Sequence, residues 1–400
     1  MQRSRPIPRE SPAPLLSVAR RLERVAPFLA MDVLAAAAAK ERRGDSVVHM
    51  EVGQPSAPAP RAARDAAKAA LETGRIGYTE ALGVAPLRER IARHYRETYG
   101  VAVAPDRVVV TTGSSAGFVL AFLTLFNAGD LVAITAPGYP AYRNILEALD
   151  LEPVQIPLTK AEGWIMTAEA VERAHRDRPL QGALAMSPAN PSGTMVGREP
   201  LARLGETCRE LGLWFISDEI YHGLTYAEPA STALAFDADA VVINSFSKYY
   251  CMTGWRIGWI VVPDRLVRPI ERLAQNLYIS PPYLSQVAAL AAFDATEELE
   301  AVKAGYARNR AMLLEELPRI GLTEMHPVDG AFYIYADVTR FTNDSIDFSK
   351  RMLEEAGVAA TPGLDFDPAE GSHYLRFSFA GSEEECREAV RRLRGWLPQI

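Results

Sequence analysis

Short apolar runs recur between residues 107 and 263, and segments of helical character separate them. The runs are RVVVTT (107–112), LVAITAP (131–137), GALAMS (182–187), LWFISDE (213–219), AVVINS (240–245) and GWIVVP (258–263). Their continuous apolar character is typical of strands that are buried on both faces, as in a mostly parallel sheet between layers of helices. The pattern therefore predicts an α/β fold.

The pattern changes at both ends of the chain. The alanine-rich segment 20–44 predicts a helix that stops at Gly44, and VVHMEVGQPS predicts a short strand running into a loop. After residue 295 a long helical segment leads to two alternating strands, GAFYIYADV and HYLRFSFA, and to a helix opened by a capping box of Ser382 and Glu385. We therefore expect an N-terminal arm and helix (1–50) that packs with the small domain, a large domain (51–295) and a small α+β domain (296–400).

Composition and charge exclude several classes of function. The formal net charge of the 400 residues is -7 and the chain has no basic run, which argues against nucleic-acid binding. Its apolar stretches are too short to span a bilayer, and its six histidines are scattered without a metal-binding motif, so we expect neither membrane nor metal. Three scattered cysteines favour a reducing cytoplasm, and MQRSRPIPRESPAPLL (1–16) is interpreted as a loose arm.

Candidate chemistry lies where the predicted strands end, because ligands of open α/β sheets gather at the carboxyl ends of strands. In TTGSSAG, backbone N–H groups and the hydroxyls of Ser114 and Ser115 could hold a phosphate at a helix N-terminus. Tyr139 of PGYPAY could stack on an aromatic ligand, and Asn190 of SPANPSGT could donate to an oxygen. Each of these features alone is equally compatible with ordinary turn structure.

Two charged residues at strand ends are more informative. Asp218 ends a predicted buried strand, where an ionised carboxylate is costly unless a cation meets it. Lys248 follows another, so it should be neutral or covalently bound, and Arg256 comes eight residues later. A single ligand suits all of these groups: an aromatic ring with a basic nitrogen, a phenolic oxygen, a phosphate and an aldehyde. Pyridoxal 5'-phosphate has this chemistry.

Motifs along most of the chain, from about residue 20 to 395, resemble those of the class I/II (fold-type I) pyridoxal-phosphate-dependent aminotransferases. They are EVGQP, GYTEALGVAPLRE, TTGSSAG, PGYPAY, NPSGT, SDEIY, SFSKYYCMTGWRIG and HYLRFSFA, in the order of the family. The resemblance implies a large domain with a mostly parallel seven-stranded sheet sandwiched by helices, and a smaller α+β domain.

The resemblance also implies roles for individual residues. Lys248 would form the Schiff base, Asp218 would contact the pyridine nitrogen, and Tyr221 with Asn190 would contact the phenolic oxygen. The cofactor phosphate would be bound by Ser114, Ser115, Ser245 and Arg256, and Tyr139 would stack on the cofactor ring. Arg376 would bind the substrate α-carboxylate, and Gly53 and Asn190 would also contact the substrate. Tyr78 would reach the phosphate of a neighbouring subunit, which implies a homodimer with shared active sites.

The implied activity is the transfer of an amino group from an L-amino acid to a 2-oxo acid by a ping-pong mechanism. Four residues, Gln54, Phe332, Tyr333 and Tyr278, would form a neutral, partly aromatic pocket for the substrate side chain, although Arg20 or Arg21 could add a cation. The alternative is a carbon–sulfur lyase of the same fold, because the cofactor contacts are common to both reactions. A cofactor-binding transcriptional regulator is disfavoured because the segment before residue 20 is too short for a DNA-binding domain.

Overall fold

The computed structural model of the protein describes residues 17–399, so the predicted loose arm, residues 1–16, lies outside the described part of the chain. The strands are β1 Val48–His49, β2 Val108–Thr111, β3 Leu131–Ala136, β4 Glu152–Pro157, β5 Gly182–Met186, β6 Trp214–Asp218, β7 Val241–Ser245, β8 Gly258–Val261, β9 Tyr333–Asp337, β10 Val358–Ala359, β11 Thr361–Pro362 and β12 Tyr374–Ser378. The α-helices are α1 Leu29–Arg42, α2 Arg61–Glu72, α3 Ala85–Tyr99, α4 Gly113–Leu125, α5 Pro140–Ala148, α6 Ala168–Asp177, α7 Arg198–Glu210, α8 Asp264–Leu277, α9 Tyr283–Ala292, α10 Thr296–Arg319, α11 Ser345–Arg351 and α12 Glu383–Trp396.

Seven strands form one large sheet in the order β2-β8-β7-β6-β5-β3-β4, which confirms the predicted sheet. Neighbouring strands are parallel except β8, which runs antiparallel to both β2 and β7. Alternate residues of one strand pack into different layers: Val109 lies in one apolar cluster with Phe118 of α4, whereas Val108 and Val110 lie in the other with Leu87 of α3. Helices therefore cover both faces, as the continuous apolar runs predict.

The sequence pattern does not predict the strand β4. Its segment, EPVQIP, contains two prolines, and only β3 pairs with it. Proline cannot donate to a strand ladder and is therefore confined to edges and ends of strands. An edge position tolerates this composition but gives no clear strand pattern.

The N-terminal helix is shorter than predicted. A 3-10 turn spans Arg20–Glu23, and α1 begins only at Leu29, because Pro27 interrupts the segment. The carboxylate of Asp365 accepts hydrogen bonds from the backbone N–H groups of Leu29 (3.0 Å) and Ala30 (3.2 Å), where α1 has no side-chain cap of its own. The helix thus packs on the C-terminal part of the chain.

The C-terminal part contains the antiparallel sheet β11-β12-β9, and β10 pairs in parallel with β1. The capping box of Ser382 and Glu385 opens α12 as predicted. In this sheet Arg376 of β12 lies opposite Thr361 of β11 and Tyr335 of β9. Segment 50–53, which continues from β1, runs past Arg376 towards the large sheet: the carbonyl of Glu51 accepts from Arg376 and that of Gly53 from Lys248.

Among residues 17–399, no helix is both long and apolar enough to cross a bilayer.

Candidate active site

Lys248 lies just beyond the carboxyl end of β7, in a pocket walled by aromatic rings. Its Nζ donates a hydrogen bond to the Gly53 carbonyl oxygen at 2.6 Å and lies 5.6 Å from the ring centre of Tyr221 and 5.7 Å from that of Phe332. Burial lowers the pKa of Lys248 to about 7, and the positive charges of Arg376 and Arg256 act in the same direction. A substantial fraction of the lysine is therefore the neutral amine near pH 7, the form that acts as nucleophile and base.

Asp218 ends β6 and is fully buried. Its Oδ2 accepts a hydrogen bond from the Tyr142 hydroxyl, and its Oδ1 accepts one from the Ile220 N–H at 3.0 Å. Burial raises the pKa of Asp218 to about 6, and the two hydrogen bonds limit that rise. The carboxylate is therefore ionised near pH 7, and it forms no ion pair with any cation of residues 17–399. Such a group suits a cationic ring nitrogen supplied by a ligand.

The sequence alone does not predict a role for Tyr142. The only signal was its place in PGYPAY, on α5, next to the turn that carries Tyr139. The two tyrosine rings meet edge to face with their centres 5.3 Å apart. Tyr139 is partly buried at the start of α5, and burial raises its pKa to about 12. Tyr139 therefore offers a neutral ring at the edge of the pocket, while Tyr142 supports Asp218 from beneath.

Arg376 is a buried guanidinium, 2% exposed, that meets no carboxylate among the described residues. Its Nη1 donates to Asn190 Oδ1 at 3.0 Å, and its Nη2 donates to the carbonyl oxygen of Glu51 and to Thr361 Oγ1. The Nε is buried and has no hydrogen-bond partner within the described part of the chain. A buried cation with an unused donor and no counter-ion is suited to binding a carboxylate from a ligand.

Tyr221 and Tyr333 form a buried hydroxyl pair beside Lys248, with their oxygens 2.6 Å apart. Tyr333 also lies under Arg376, whose guanidinium carbon is 4.5 Å from the ring centre. Burial raises the pKa of Tyr221 well above its usual value, so its hydroxyl stays protonated and can donate. The Tyr333 hydroxyl occupies the space that a side chain at Gly53 would need, which explains glycine at that position.

A second cationic group lies where β2 passes into α4. The first residue of α4, Gly113, has a φ of +76°, and a Cβ there would collide with the Arg256 guanidinium. Arg256 is exposed, forms no ion pair among the described residues, and donates from Nη1 to the Thr253 carbonyl at 3.1 Å. A guanidinium beside the free N–H groups of a helix N-terminus, which include those of Ser114 and Ser115, is suited to a phosphate.

Ser245 lies at the base of this region. Its Oγ is buried, 2.9 Å from Ser247 Oγ and 3.1 Å from the Ile257 carbonyl oxygen. Sequence analysis assigned no role to Ser247, which is also buried and lies 3.5 Å from Arg256 Nη1. Ser245 and Ser247 therefore lie next to Arg256, on the same side of the candidate phosphate site.

Other predicted residues lie apart from this cluster within one chain. Tyr78 is 83% exposed on the loop between α2 and α3, and Gln54 is also exposed. The buried hydroxyl of Tyr278 has no hydrogen-bond partner. Arg21 forms an ion pair with Asp150 at 3.6 Å. Asp150 lies just beyond the C-terminus of α5, whereas Tyr139 lies at its N-terminus.

The residues present fit pyridoxal 5'-phosphate. Within residues 17–399 the buried carboxylate of Asp218 forms no ion pair, the amine of Lys248 is readily deprotonated, and Arg256 faces a helix N-terminus without a counter-ion. These groups match, respectively, the ring nitrogen, the aldehyde and the phosphate of the cofactor.

Comparison with known proteins agrees with this chemistry. The family model described as "Aminotransferase class I and II" matches residues 45–393. A valine–pyruvate aminotransferase of Mycobacterium tuberculosis is 49% identical over 378 residues, which cover 94% of this chain and 97% of that protein. An arginine–pyruvate transaminase of Pseudomonas aeruginosa is 33% identical over 371 residues, covering 91% and 93%.

The fold agrees as well. A crystal structure of an aminotransferase from Mycobacterium tuberculosis superposes with a TM-score of 0.94 at 48% sequence identity, covering 96% of this chain and 100% of that chain. The match extends over both the large sheet and the C-terminal part. The chain therefore belongs to the class I and II aminotransferases, the fold-type I enzymes that depend on pyridoxal 5'-phosphate.

Proposed function

We propose that this aminotransferase moves the amino group of a neutral L-amino acid to a 2-oxo acid by a ping-pong mechanism. The observation that carries the proposal is a pocket that combines a readily deprotonated lysine, Lys248, with the buried and unpaired guanidinium of Arg376. An amino acid offers one group to each, because its carboxylate suits the guanidinium while its Cα proton suits the amine.

When bound, the cofactor supplies an aldehyde that takes up the amino group and a protonated ring that withdraws electrons from Cα. Asp218 would hold the proton on the ring nitrogen, with Tyr142 keeping the carboxylate ionised and oriented. The Tyr221 hydroxyl and the side-chain amide of Asn190 would donate to the phenolic oxygen. Arg256, Ser245 and the first residues of α4, Ser114 and Ser115, would bind the phosphate.

Lys248 would perform two tasks in each half-reaction. As a neutral amine it would accept the Cα proton of the substrate and return it on the other side of the transferred nitrogen. Burial of the amine among the side chains of Tyr221 and Phe332 removes water from it, and the charge of Arg376 repels an ammonium, so the base form is available near neutral pH. Arg376 would bind the substrate carboxylate with its free Nε and one Nη. Gly53 would lie beside the substrate, where its carbonyl oxygen accepts the hydrogen bond from Lys248.

A neutral side-chain preference follows from the groups around Lys248. The aromatic side chains that border it, Phe332, Tyr221 and Tyr333, are uncharged, and so are Ser115 and Ala116 in the first turn of α4. Arg21 already pairs with Asp150. The 49% identical relative named for valine and pyruvate supports the same preference.

The test is a half-reaction. Holoenzyme mixed with a single L-amino acid and no 2-oxo acid should release 2-oxo acid in an amount equal to the active sites and then stop. Valine and phenylalanine should react with a higher kcat/KM than aspartate, and Lys248→Ala should be inactive with every donor. Continuous release of 2-oxo acid with ammonia from a cysteine conjugate would contradict transamination and favour a carbon–sulfur lyase.

We also propose a homodimer in which Tyr78 reaches the partner's phosphate site. Four exposed apolar side chains support it: Ile76 and Tyr78 on one loop and Leu277 and Ile279 at the end of α8. A hydrogen bond from the Thr79 N–H to Ser280 Oγ, at 3.2 Å, joins the two segments, so they form one apolar surface. Exposed apolar patches of this kind commonly mark subunit interfaces.

The proposed location is the cytoplasm. Cys208, Cys251 and Cys386 are free and buried thiols, as expected in a reducing compartment. Fractionation of cells that express the enzyme would test this, and recovery in a secreted or membrane fraction would contradict it.

A further inference from the structure

An ion-paired histidine lies beside the segment that joins the two halves of the site. His49, the last residue of β1, places Nδ1 2.8 Å from Glu51 Oε1, and its Nε2 lies 3.2 Å from Glu41 Oε1 on α1. Glu51 is completely buried, and its other carboxylate oxygen, Oε2, has no hydrogen-bond partner in residues 17–399. Among residues 17–399, the imidazole of His49 is therefore the single side-chain partner of this buried carboxylate.

The backbone around Glu51 contacts the residues that would bind the substrate. The Glu51 carbonyl oxygen accepts hydrogen bonds from Arg376 Nη2 and, at 2.8 Å, from Thr361 Oγ1. Two residues further on, the Gly53 carbonyl oxygen accepts the hydrogen bond from Lys248. Segment 51–53 therefore contacts both the guanidinium and the amine.

Burial makes the side chain of Glu51 sensitive to the loss of His49. An ionised carboxylate without a partner in a dry site is strongly disfavoured, so it must either take up a proton or move towards water. Movement would carry the Glu51 and Gly53 carbonyls away from Arg376 and Lys248. The pKa of His49 is raised to about 9, chiefly by its hydrogen bond to Glu51, so the imidazolium is present at neutral pH.

We propose that the His49–Glu51 ion pair positions the substrate-binding residues, an inference that rests on the proposed function. The pair holds segment 51–53 so that Arg376 faces the substrate carboxylate and Lys248 faces Cα. His49 touches neither substrate nor cofactor in this arrangement. The other charged group facing the imidazole is Glu41 of α1, whereas β10, which pairs with β1, contributes only Val358 and Ala359.

The test uses an unreactive monocarboxylate, 3-methylbutanoate, whose binding to the holoenzyme is followed by the cofactor absorption spectrum between pH 6 and 10. His49→Ala should raise its Kd about tenfold at pH 7, in proportion to a lost charged hydrogen bond. The wild-type Kd should rise as the pH passes through about 9, because the imidazolium that holds Glu51 is then lost. His49→Asn keeps an N–H donor without a titrating charge, so it should bind with an intermediate Kd and lose the dependence near pH 9.

Two further variants make the result specific. Glu41→Gln removes only the exposed partner of the same imidazole and should leave the Kd within about twofold of wild type, as for exposed ion pairs generally. Glu51→Gln keeps the shape of the side chain without the charge, so it should abolish the dependence near pH 9 even if His49→Ala does not fold. A wild-type Kd with His49→Ala, or a wild-type pH profile with Glu51→Gln, would refute the positioning role while the half-reaction of the wild type still succeeds. Failure of that half-reaction in the wild type would instead refute the proposed function.

Discussion

At the residue scale, burial shifts the pKa values of the two central ionisable residues in opposite directions. It raises that of Asp218 to about 6 and lowers that of Lys248 to about 7, because low polarity disfavours the charged form of each. The carboxylate nevertheless stays ionised at pH 7, since Tyr142 and the Ile220 N–H stabilise it. Asp218 is therefore mostly ionised above pH 6, and Lys248 becomes increasingly neutral as the pH rises through about 7.

The first prediction concerns Tyr142→Phe. Removal of the hydroxyl deletes a hydrogen bond to the carboxylate, so the pKa of Asp218 should rise further above about 6. Affinity for a cofactor with a protonated ring depends on the ionised carboxylate, which is present above its pKa and lost as the pH falls through it. We therefore expect the apoenzyme to bind pyridoxal 5'-phosphate roughly tenfold more weakly at pH 7 in the variant, with the acid limb of the affinity profile moved to higher pH.

Fluorescence titration of the apoenzyme with the cofactor between pH 5 and 8 would measure both effects. Tyr95→Phe is the matched control, because Tyr95 is a buried tyrosine that accepts a hydrogen bond from Trp259 Nε1 at 3.1 Å and belongs to the opposite apolar cluster. The control should keep wild-type affinity. An unshifted acid limb in Tyr142→Phe would contradict the assignment of that limb to Asp218.

What could be predicted at this scale depended on local motifs. Asp218 and Lys248 were identified because each is a charge at the end of an apolar run. Tyr142 and Tyr333 were not assigned their supporting contacts, because the partners, Asp218 and Tyr221, are 76 and 112 positions away in sequence. A hydroxyl pair formed between two distant segments leaves no pattern within either one.

At the element scale, the large sheet could be predicted because burial on both faces produces uninterrupted apolar runs. The exceptions have definite causes. β4 lies at an edge and contains prolines, and the first predicted helix is divided at Pro27. The antiparallel direction of β8 could not be predicted, because an apolar run carries no information about strand direction. The strand ends that position Asp218 and Lys248 were nevertheless correct.

The second prediction concerns the start of α4. Gly113→Ala should introduce backbone strain, since φ is +76°, and should also push the Arg256 guanidinium away from the helix N-terminus. We expect a loss of about 1 kcal/mol in the free energy of unfolding and at least a tenfold weaker affinity for pyridoxal 5'-phosphate, because the phosphate would lose a charge-assisted contact.

Gly100→Ala separates the two effects. Gly100 follows α3 with a φ of +70°, and an added Cβ there would meet no atom within 4 Å among the described residues. Chemical denaturation should show a similar loss of stability for both variants, whereas cofactor titration should show weaker binding only for Gly113→Ala. Equal cofactor affinity in the two variants would mean that Arg256 does not bind the phosphate.

At the scale of the whole molecule, Tyr78 lies apart from the other residues of the proposed site within one chain. Tyr78 is 83% exposed, within an apolar surface that also contains Ile76, Leu277 and Ile279. The sequence predicted the shared site through resemblance alone, since nothing in the local pattern of GYTEALG distinguishes a contact within one chain from a contact between chains. The proposed dimer accounts for both the exposure and the motif.

The third prediction tests whether Tyr78 acts across the interface. If each site combines Lys248 of one subunit with Tyr78 of the other, a hybrid of Tyr78→Phe and Lys248→Ala subunits contains one intact site and one doubly defective site. Equal mixing and random reassociation should make half of the dimers hybrid and restore roughly a quarter of the wild-type sites. Lys248→Ala alone should be inactive, and Tyr78→Phe alone should be weakly active when the cofactor is scarce.

The measurement is the transamination rate at limiting cofactor, before and after the two variants are mixed under conditions that exchange subunits. Activity should rise above the sum of the separate variants only after exchange, because a contact between subunits can be restored by mixing and a contact within a subunit cannot. A matched mixture of Lys248→Ala with Asp218→Asn should stay inactive. One chain supplies both of these residues to a given site in the proposed dimer, so each site of a hybrid lacks one of them. Recovery in that control, or no recovery with Tyr78→Phe, would show that the division of residues between the subunits differs from the one proposed.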